Sequence, residues 1–292
     1  MQRLMRPDLS IIIVATNEFS LLKKCLLSIE KTKEKLHVEL FIVNNASTDQ
    51  TKHYLKKYTR TPYVHILENT TIKGFAYNNN QAITKAQANY IILLNPDTEL
   101  LPQSLQRMLS FIKLHKAVGI CAPKLLNPDM SLQYSCRHFP TWKTYVMRRT
   151  PFRYMFPNST TNNFHLMKNE NHDQQQPVDW VLGGCLCIKK EMINSIGILD
   201  DKYFLYVDDI DYCLRAWHKH WSVYYLPSAK VIHHHQAKSD KKLFSVYSLY
   251  HMKSMIYFVL KHGLSPKRQL RHPLKNWLHL LNIIKKGIRK LL

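Results

Sequence analysis

Near its start the chain reads Ser10-Ile-Ile-Ile-Val-Ala15, a continuous run of mainly β-branched residues. Such a run is typical of a strand that is buried on both faces of a parallel sheet. Apolar residues at helical spacing follow over 19–31, and a second buried strand is predicted at Val38–Val43. Because strand, helix and strand follow one another, this stretch predicts a parallel α/β sheet whose helices cover both faces.

The same alternation continues along most of the chain. Further strands are predicted at 63–67, 90–94, 178–190 and 221–232, and further helices at 47–58, 75–88, 102–116, 209–220 and 243–262. Ser47-Thr-Asp-Gln50 reads as a capping box for the helix at 47–58, and Gly263 as the end of the last helix. Residues 140–177 contain four prolines and a polar tract, which predicts a long mobile loop of the kind that is usually functional.

The charge of the chain is strongly basic and unevenly distributed. Its 292 residues include 42 Lys and Arg against 20 Asp and Glu, and no acidic residue follows Asp240. Residues 241–292 alone carry twelve Lys and Arg, and past Pro273 their apolar residues fall on one helical stripe. A tail of this kind is expected to face an anionic surface, either lipid headgroups or nucleic acid.

Other features limit the class of protein. The chain has no run of 18 apolar residues, so no membrane span is expected, and its N-terminus lacks the apolar core of a signal peptide. The six cysteines include no Cys-x-x-Cys pair, which predicts reduced, buried thiols in a cytoplasmic protein and argues against a zinc site.

Polar residues follow three of the predicted strands, at Thr16-Asn17, at Asn44-Asn45-Ala-Ser47 and at Asn95-Pro-Asp97. In parallel α/β sheets, ligands bind beyond the carboxyl ends of the strands. The second turn also opens a predicted helix, whose backbone N–H groups would suit a phosphate or a base edge; ordinary capping of the turn is the alternative. Asp97 in the third turn could hold Mg²⁺ or Mn²⁺ against a diphosphate, or could serve only as a turn residue.

Two later clusters also carry candidate chemistry. Asp208, Asp209 and Asp211 lie within four positions at the start of a predicted helix, where we expect one carboxylate to cap the helix and one to act as a base. The triplet His233-His-His235 ends a predicted strand, and alternation places its first and third histidines on one face. There they could complete the metal site, although structural histidines are common. Gly183-Gly184 would let a ligand approach the backbone, or would form a tight turn.

Taken together, these segments resemble a family 2 glycosyltransferase with a GT-A fold, and most of all its bacterial rhamnosyltransferase-like branch. That fold is an α/β fold with a Rossmann-like, mostly parallel central sheet, here followed by C-terminal helices. The resemblance covers about residues 8–240 and rests on the order and spacing of several segments. These are Ser10–Asn17, Val43–Asp49, Glu68–Asn80, Leu94–Thr98, Trp180–Cys187, Asp200–Arg215 and Val231–His234.

The resemblance implies an inverting transfer of a sugar, with rhamnose one candidate, from a dTDP- or UDP-linked donor. The acceptor would be a hydroxyl of a cell-surface polysaccharide or of a lipid-linked glycan. Asp209 would be the general base, with Asp208 beside it, and Asp97, His233 and His235 would hold Mg²⁺ or Mn²⁺ at the diphosphate. Substrate contacts are implied for ten further residues: Thr16, Asn17, Asn44, Asn45, Gly74, Asn79, Trp180, Gly183, Gly184 and Arg215.

Two residues depart from the family pattern. Asn44 stands where the family usually has an Asp that accepts a hydrogen bond from a pyrimidine, and Asn95 replaces the first metal carboxylate. These changes leave base identity and metal affinity open, and they keep a catalytically impaired scaffold as an alternative. A basic nucleic-acid-binding protein is the other alternative, because the charge of the tail fits it, although no recognition helix, aromatic RNA-binding signature or zinc spacing is present. A nucleotidyltransferase would need a Gly-rich loop near the first strand, and residues 14–24 contain no glycine.

The expected organisation is a glycosyltransferase domain at 1–240 and a basic amphipathic helical tail at 241–292. Within the domain, residues 1–100 would form the nucleotide-binding half and 101–240 the acceptor half. Bacterial relatives of this type often use polyprenyl-diphosphate-linked acceptors, so residues 264–292 are expected to lie on an anionic membrane surface. The protein is therefore expected to be cytoplasmic and peripheral on the inner face of the cytoplasmic membrane, with no nucleic-acid partner.

Overall fold

The computed structural model describes residues 6–149, 155–156, 159–234 and 245–268. The predicted metal ligand His235 and residues 241–244 and 269–292 of the predicted tail lie outside the described residues. The domain boundary predicted at residue 240 also falls outside them, and the division of the chain into domains remains a prediction.

The centre of the described structure is a sheet of nine strands. They are β1 (Leu9–Ala15), β2 (Val38–Asn45), β3 (Val64–Asn69), β4 (Tyr90–Leu94), β5 (Thr98–Leu100), β6 (Val118–Leu126), β8 (Gln176–Pro177), β10 (Cys185–Lys189) and β11 (Ser222–His233). Their order is β3-β2-β1-β4-β10-β6-β11-β5, with β8 paired to β11. A separate two-stranded sheet joins β7 (Cys136–Arg137) to β9 (Trp180–Val181).

The first half of the sheet is parallel, as the sequence predicts, and the second half is mixed. Strands β3, β2, β1 and β4 run in one direction, whereas β10 runs antiparallel to both β4 and β6. Every residue of β2 is buried, which explains why the strand is apolar from Leu40 to Val43, and its one buried acid before the terminal asparagines, Glu39, is hydrogen-bonded by Ser10 and by the Gln87 and Ala88 N–H groups. Ala15 pairs with Asn44, and Ile13 with Leu94, so the carboxyl ends of β1, β2 and β4 meet at one edge.

Helices cover both faces of this sheet. They are α1 (Phe19–Thr32), α2 (Thr51–Leu55), α3 (Phe75–Ile83), α4 (Ser104–Leu114), α5 (Trp142–Arg149), α6 (Thr160–His165), α7 (Lys190–Ile196), α8 (Asp208–His218) and α9 (Val246–His262). Leu22 of α1 and Leu105 of α4 belong to the apolar core on one face. Met192 of α7, Leu214 of α8 and Phe258 of α9 belong to the core on the other face. The predicted α/β arrangement is therefore confirmed.

Several local predictions need correction. The predicted capping box is wrong, because α2 begins only at Thr51 and its N-cap, Gln50, makes no side-chain cap. The region 140–177 is not a plain loop, since its described residues include α5 and α6. Gly263 does end α9, with φ 82°, as predicted. All six cysteines are buried and free. Within the described ranges, no helix is both long and apolar enough to cross a membrane.

Candidate active site

Gly183 and Gly184 lie between two groups of candidate residues, with Asp209 on one side and His233 on the other. They lie in the turn between β9 and β10. The Gly183 N–H donates to Oδ2 of Asp209 at 3.2 Å, and the Gly184 carbonyl accepts from the Asn95 N–H at 3.0 Å. A Cβ added to Gly184 would lie 3.5 Å from the ring of His233. Since consecutive Cα atoms are about 3.8 Å apart, Asp209 and His233 flank one short stretch of backbone.

The structure brings the predicted metal ligands Asp97 and His233 together. Thr98 pairs with His233 across β5 and β11, which places Nε2 of His233 3.3 Å from Oδ1 of Asp97. The side chain of Asp97 is only 12% exposed and that of His233 only 5%. His234 points the other way, with its Nε2 2.6 Å from Oε1 of Glu99. The predicted alternation of the first two histidines is therefore confirmed, while His235 lies outside the described residues.

Gln133, which sequence analysis missed, orients the His233 ring. Its Oε1 lies 2.7 Å from Nδ1 of His233. The Gln133 amide is turned this way because its Nε2 donates to Oδ1 of Asn127 at 3.0 Å and to the His233 carbonyl at 3.3 Å. Nδ1 of His233 therefore donates its proton to Gln133, and Nε2 is the ring nitrogen that faces the carboxylate of Asp97.

A nitrogen lone pair beside a carboxylate suits a divalent cation. Asp97 and His233 alone would leave most coordination positions to a bound diphosphate and to water, as Mg²⁺ sites commonly do. The described part of the chain contains no group of three His, Cys, Asp or Glu residues that could hold a metal.

Asp208 and Asp209 begin helix α8. Oδ1 of Asp209 accepts the N–H of Ile210 at 2.9 Å, while Oδ2 accepts that of Gly183. Burial raises the pKa of Asp209 to about 6, although these two N–H groups act in the opposite direction. Burial and the neighbouring carboxylate raise the pKa of Asp208 well above its usual value. Asp209 thus titrates close to neutral pH, where a general base works best.

The backbone before α8 is strained and tightly packed. Tyr206 and Val207 both adopt positive φ angles, 66° and 72°, a conformation that costs about 1–3 kcal/mol for residues other than glycine. The Phe75 N–H at the start of α3 donates to the Phe204 carbonyl at 2.8 Å. A Cβ at Gly74 would lie only 2.8 Å from that carbonyl oxygen, so this approach requires glycine. Gly74 thereby links the N-terminus of α3 to the segment that presents Asp209.

Asp211 belongs to a different environment from Asp209. Its carboxylate is bound by Arg215 at 2.8 Å, by Lys261 at 2.8 Å and by His262 at 2.7 Å. Burial would raise the pKa of Asp211, but the His262 hydrogen bond and the charges of Arg215 and Lys261 hold it well below its usual range. Arg215 also donates to two carbonyl groups at the end of α7. The guanidinium is thus used within the protein, and the substrate contact of Arg215 remains a prediction.

The N–H groups after β2, predicted to suit a phosphate, are already occupied by side chains. Oδ1 of Asn17 accepts the N–H groups of Thr48 and Asp49 at 2.7 and 3.2 Å. Oδ1 of Asn44 accepts the Ser47 N–H at 3.2 Å. The phosphate prediction is therefore wrong for these groups, and ordinary capping of the turn is what the structure contains.

Asn44 and Asn45 connect the strand ends to their neighbours. Nδ2 of Asn44 donates to Oε2 of Glu68 at 2.8 Å, so the carboxylate that Asn44 contacts belongs to the neighbouring strand, β3. Nδ2 of Asn45 donates to Oγ1 of Thr16 at 3.1 Å, and its Oδ1 accepts the Lys73 N–H at 2.8 Å. The structure thus gathers Thr16, Asn45 and the segment before α3 at one edge.

Asn79 and Trp180 are both buried and make contacts within the protein. Nδ2 of Asn79 donates to the Phe75 carbonyl at 2.9 Å, one turn earlier in α3. Nε1 of Trp180 donates to the His138 carbonyl at 3.0 Å, and the ring is 6% exposed. These contacts account for both residues as parts of the core, and their contact with substrate remains a prediction.

Solved structures with the same fold include two metal-bound glycosyltransferases. One is GalNAc-T7 with UDP, GalNAc and Mn²⁺, at a TM-score of 0.67 and 16% identity, covering 88% of this chain and 48% of that one. The other is the mannosyltransferase PcManGT from Pyrobaculum calidifontis with GDP-Man and Mn²⁺, at a TM-score of 0.58 and 16% identity, covering 90% and 67%. The predicted GT-A fold is therefore confirmed.

Sequence comparison extends this likeness. The chain is 25% identical over 254 residues to the N-acetylglucosaminyl-diphospho-decaprenol L-rhamnosyltransferase of Mycobacterium tuberculosis, covering 83% of this chain and 81% of that protein. It is 24% identical over 261 residues to rhamnosyltransferase WbbL of Escherichia coli K12, covering 86% and 92%. Residues 10–175, more than half of the chain, match the family model described as Glycosyl transferase family 2. Since this match spans more than half of the chain, the chain belongs to family 2 of the glycosyltransferases.

Proposed function

We propose that this chain transfers rhamnose from a dTDP- or UDP-linked donor to a hydroxyl of a polyprenyl-diphosphate-linked glycan, with inversion at the anomeric carbon. The observation that carries the proposal is the pair of contacts at the Gly183–Gly184 turn, with Asp209 on one side and the Asp97–His233 pair on the other. The choice of sugar and acceptor is supported by the two similar rhamnosyltransferases, one of which is named for a diphospho-decaprenol substrate.

Asp209 performs the proton transfer in this reaction. The acceptor oxygen forms a bond to the anomeric carbon while the bond from that carbon to the diphosphate oxygen breaks. The hydroxyl proton passes to the carboxylate of Asp209, which is partly exposed and is held by two backbone N–H groups. Because these donors fix both oxygens, the carboxylate keeps its orientation when the acceptor arrives.

Asp97 and His233 are the residues that would hold Mg²⁺ or Mn²⁺. When bound, the cation would neutralise negative charge on the departing diphosphate, a contribution of several kcal/mol in such sites. One charge pair at about 4 Å and an effective dielectric of about 20 is worth on the order of 4 kcal/mol. Asn95 carries no charge, so Asp97 supplies the carboxylate in the segment Asn95–Asp97. Replacing Asp97 by Asn is therefore expected to weaken Mn²⁺ binding severely.

Replacing Gln133 by Leu is expected to lower Mn²⁺ affinity by about 10- to 100-fold, the usual effect of removing a partner behind a metal-binding histidine. The reason is that Leu cannot accept the proton of Nδ1, which frees the ring of His233 to turn away from Asp97. Mn²⁺ binding would be measured by electron paramagnetic resonance in the presence of UDP. Gln176→Leu, which removes an amide that donates to the Asn171 carbonyl, is the matched control. Equal affinity in both variants and the parent would contradict this role.

The proposed activity is tested directly with purified full-length protein. A panel of dTDP- and UDP-linked sugars would be incubated with N-acetylglucosaminyl-diphospho-prenol, with Mg²⁺, with Mn²⁺ or with EDTA. We expect transfer of rhamnose that stops in EDTA, and NMR of the product should report the anomeric configuration opposite to that of the donor. Retention of configuration would exclude Asp209 as the base of a single displacement, and transfer unaffected by EDTA would exclude the cation.

The proposed location follows from the acceptor. A polyprenyl-diphosphate carrier is held in a bilayer, so an enzyme that uses it works at a membrane surface. We place this chain on the inner face of the cytoplasmic membrane, with residues 264–292 on the lipid, as the basic composition of that segment favours.

A further inference from the structure

The outer face of helix α9 carries a row of exposed aliphatic side chains. Val246 is 61% exposed, Leu249 52%, Met252 54%, Ile256 54% and Leu260 80%. At 100° per residue these five positions fall within an arc of about 120°, so they form one continuous stripe. Leu264, just past the helix, is also exposed, at 55%. Soluble proteins seldom leave such a row in water without a partner.

The opposite face of α9 is firmly attached to the rest of the protein. Phe258 is fully buried, and Oγ of Ser254 donates to the Leu205 carbonyl at 2.9 Å. Lys261 and His262 bind Asp211 of the helix that also carries the catalytic base. The stripe is therefore the outward side of a fixed helix, and its exposure does not come from a loosely attached segment.

The charge around the stripe identifies what kind of surface it fits. Residues 245–268 contain four Lys and Arg and no Asp or Glu, and residues 269–292 add six more with no acid. Lys261 and Arg268 are paired with internal carboxylates, which leaves two exposed charges, Lys253 within the arc of the stripe and Lys267 beyond the end of the helix. A second copy of this face, or the basic tail folded onto it, would bring like charges together. An anionic lipid surface accepts both the aliphatic stripe and the lysines.

We propose that the outer face of α9 docks on anionic lipid. This extends the lipid-facing segment predicted at 264–292 back to Val246, and it concerns binding rather than the transfer reaction. One face of α9 would lie in the headgroup region, while Lys261 and His262 on the other side of the helix bind Asp211, two residues from Asp209. Because Asp209 and Asp211 project from α8 in nearly opposite directions, the base would stand beyond α8 as well as α9, on the order of two helix diameters, about 20 Å, from the membrane. The sugar of a lipid-linked acceptor would project toward it from the bilayer on its diphosphate, and this last point rests on the proposed function.

The test compares vesicle binding by full-length variants without substrate. Ile256→Ser with Leu260→Ser removes the centre of the stripe. The matched control, Leu27→Ser with Leu114→Ser, removes two aliphatic side chains that are 47% and 78% exposed on helices of the other face. Co-sedimentation with vesicles of phosphatidylglycerol and phosphatidylcholine should show affinity falling about tenfold or more for the stripe variant, as expected for two lost aliphatic contacts, and little change for the control.

A charge variant and an activity assay complete the test. Lys253→Glu should weaken binding to anionic vesicles, while Lys52→Glu, an exposed lysine on α2, should change it less. Transfer to a water-soluble acceptor analogue should be unchanged in the stripe variant, so a failure of docking is separable from a failure of the proposed activity. Equal vesicle binding by parent, stripe variant and control would overturn the proposal. So would a parent dimer in light scattering that the stripe variant converts to monomer, because the face would then be a subunit interface.

Discussion

Replacing Asp209 by Asn is expected to lower kcat by about 10²- to 10⁴-fold, the range typical of losing a general base. Asn matches the shape of Asp209 and can still accept one of its two backbone hydrogen bonds, from Gly183 or from Ile210. The remaining donor loses its partner, which costs about 1 kcal/mol, but the cost of burying a charge is also removed. The variant should therefore unfold in urea with a free energy within about 1 kcal/mol of the parent.

The pH dependence of the parent provides an independent check. Because burial raises the pKa of Asp209 to about 6, kcat/KM should fall as the pH drops through 6, and not only below 4 as for an ordinary carboxylate. The raised pKa also means that the folded protein binds this proton more tightly than the unfolded chain. Its stability should therefore decline as the pH rises from about 4 through 6, and Asp209→Asn should lack that contribution.

Asp201→Asn is the matched control, since Asp201 is an exposed carboxylate in the turn before the same helix. It should keep parental kcat and the acid limb near pH 6. A variant at Asp209 that retains more than about a tenth of the parental kcat would remove the assigned role.

The parts of this site that sequence could predict are those set by short-range periodicity. The β-branched run at Ser10–Ala15 identified a buried strand, and period-two alternation placed His233 and His234 on opposite faces, as the structure has them. The edge where β1, β2 and β4 end follows from the same rule, because parallel strands that pair in register end together.

The parts that sequence could not predict depend on partners far along the chain. Gln133 reaches His233 from a hundred residues away, and no local pattern marks it. The polar residues after β2 looked like a phosphate site because the sequence does not reveal that Asn17, from the preceding strand, fills their N–H groups. Asp209 and Asp211 looked like one cluster, but residues two apart on a helix point in directions about 200° apart.

Replacing Asp211 by Asn should therefore cause a large loss of stability and a smaller loss of transfer activity, the reverse of what is expected for Asp209→Asn. The Asp211 side chain is 1% exposed and is shared by Arg215, Lys261 and His262. Removing one partner of a buried ionic group usually costs about 3–5 kcal/mol, and the cost here should lie at the low end because Lys261 keeps Asp200 and Arg215 keeps two carbonyl acceptors. We expect the free energy of unfolding in urea at pH 7 to fall by that amount, with transfer at permissive temperature less affected than in Asp209→Asn.

The pH dependence of stability distinguishes the two aspartates. The pKa of Asp211 is held well below its usual range, so its contribution is fully present above about pH 4 and is lost as the pH falls further. The parent should lose stability through this group on acidification, whereas Asp211→Asn should not. Asp173→Asn, which removes the exposed partner of Lys124, is the control and should cost much less stability than Asp211→Asn. Equal destabilisation by the two variants would mean that the network between α8 and α9 does not hold the catalytic helix in place.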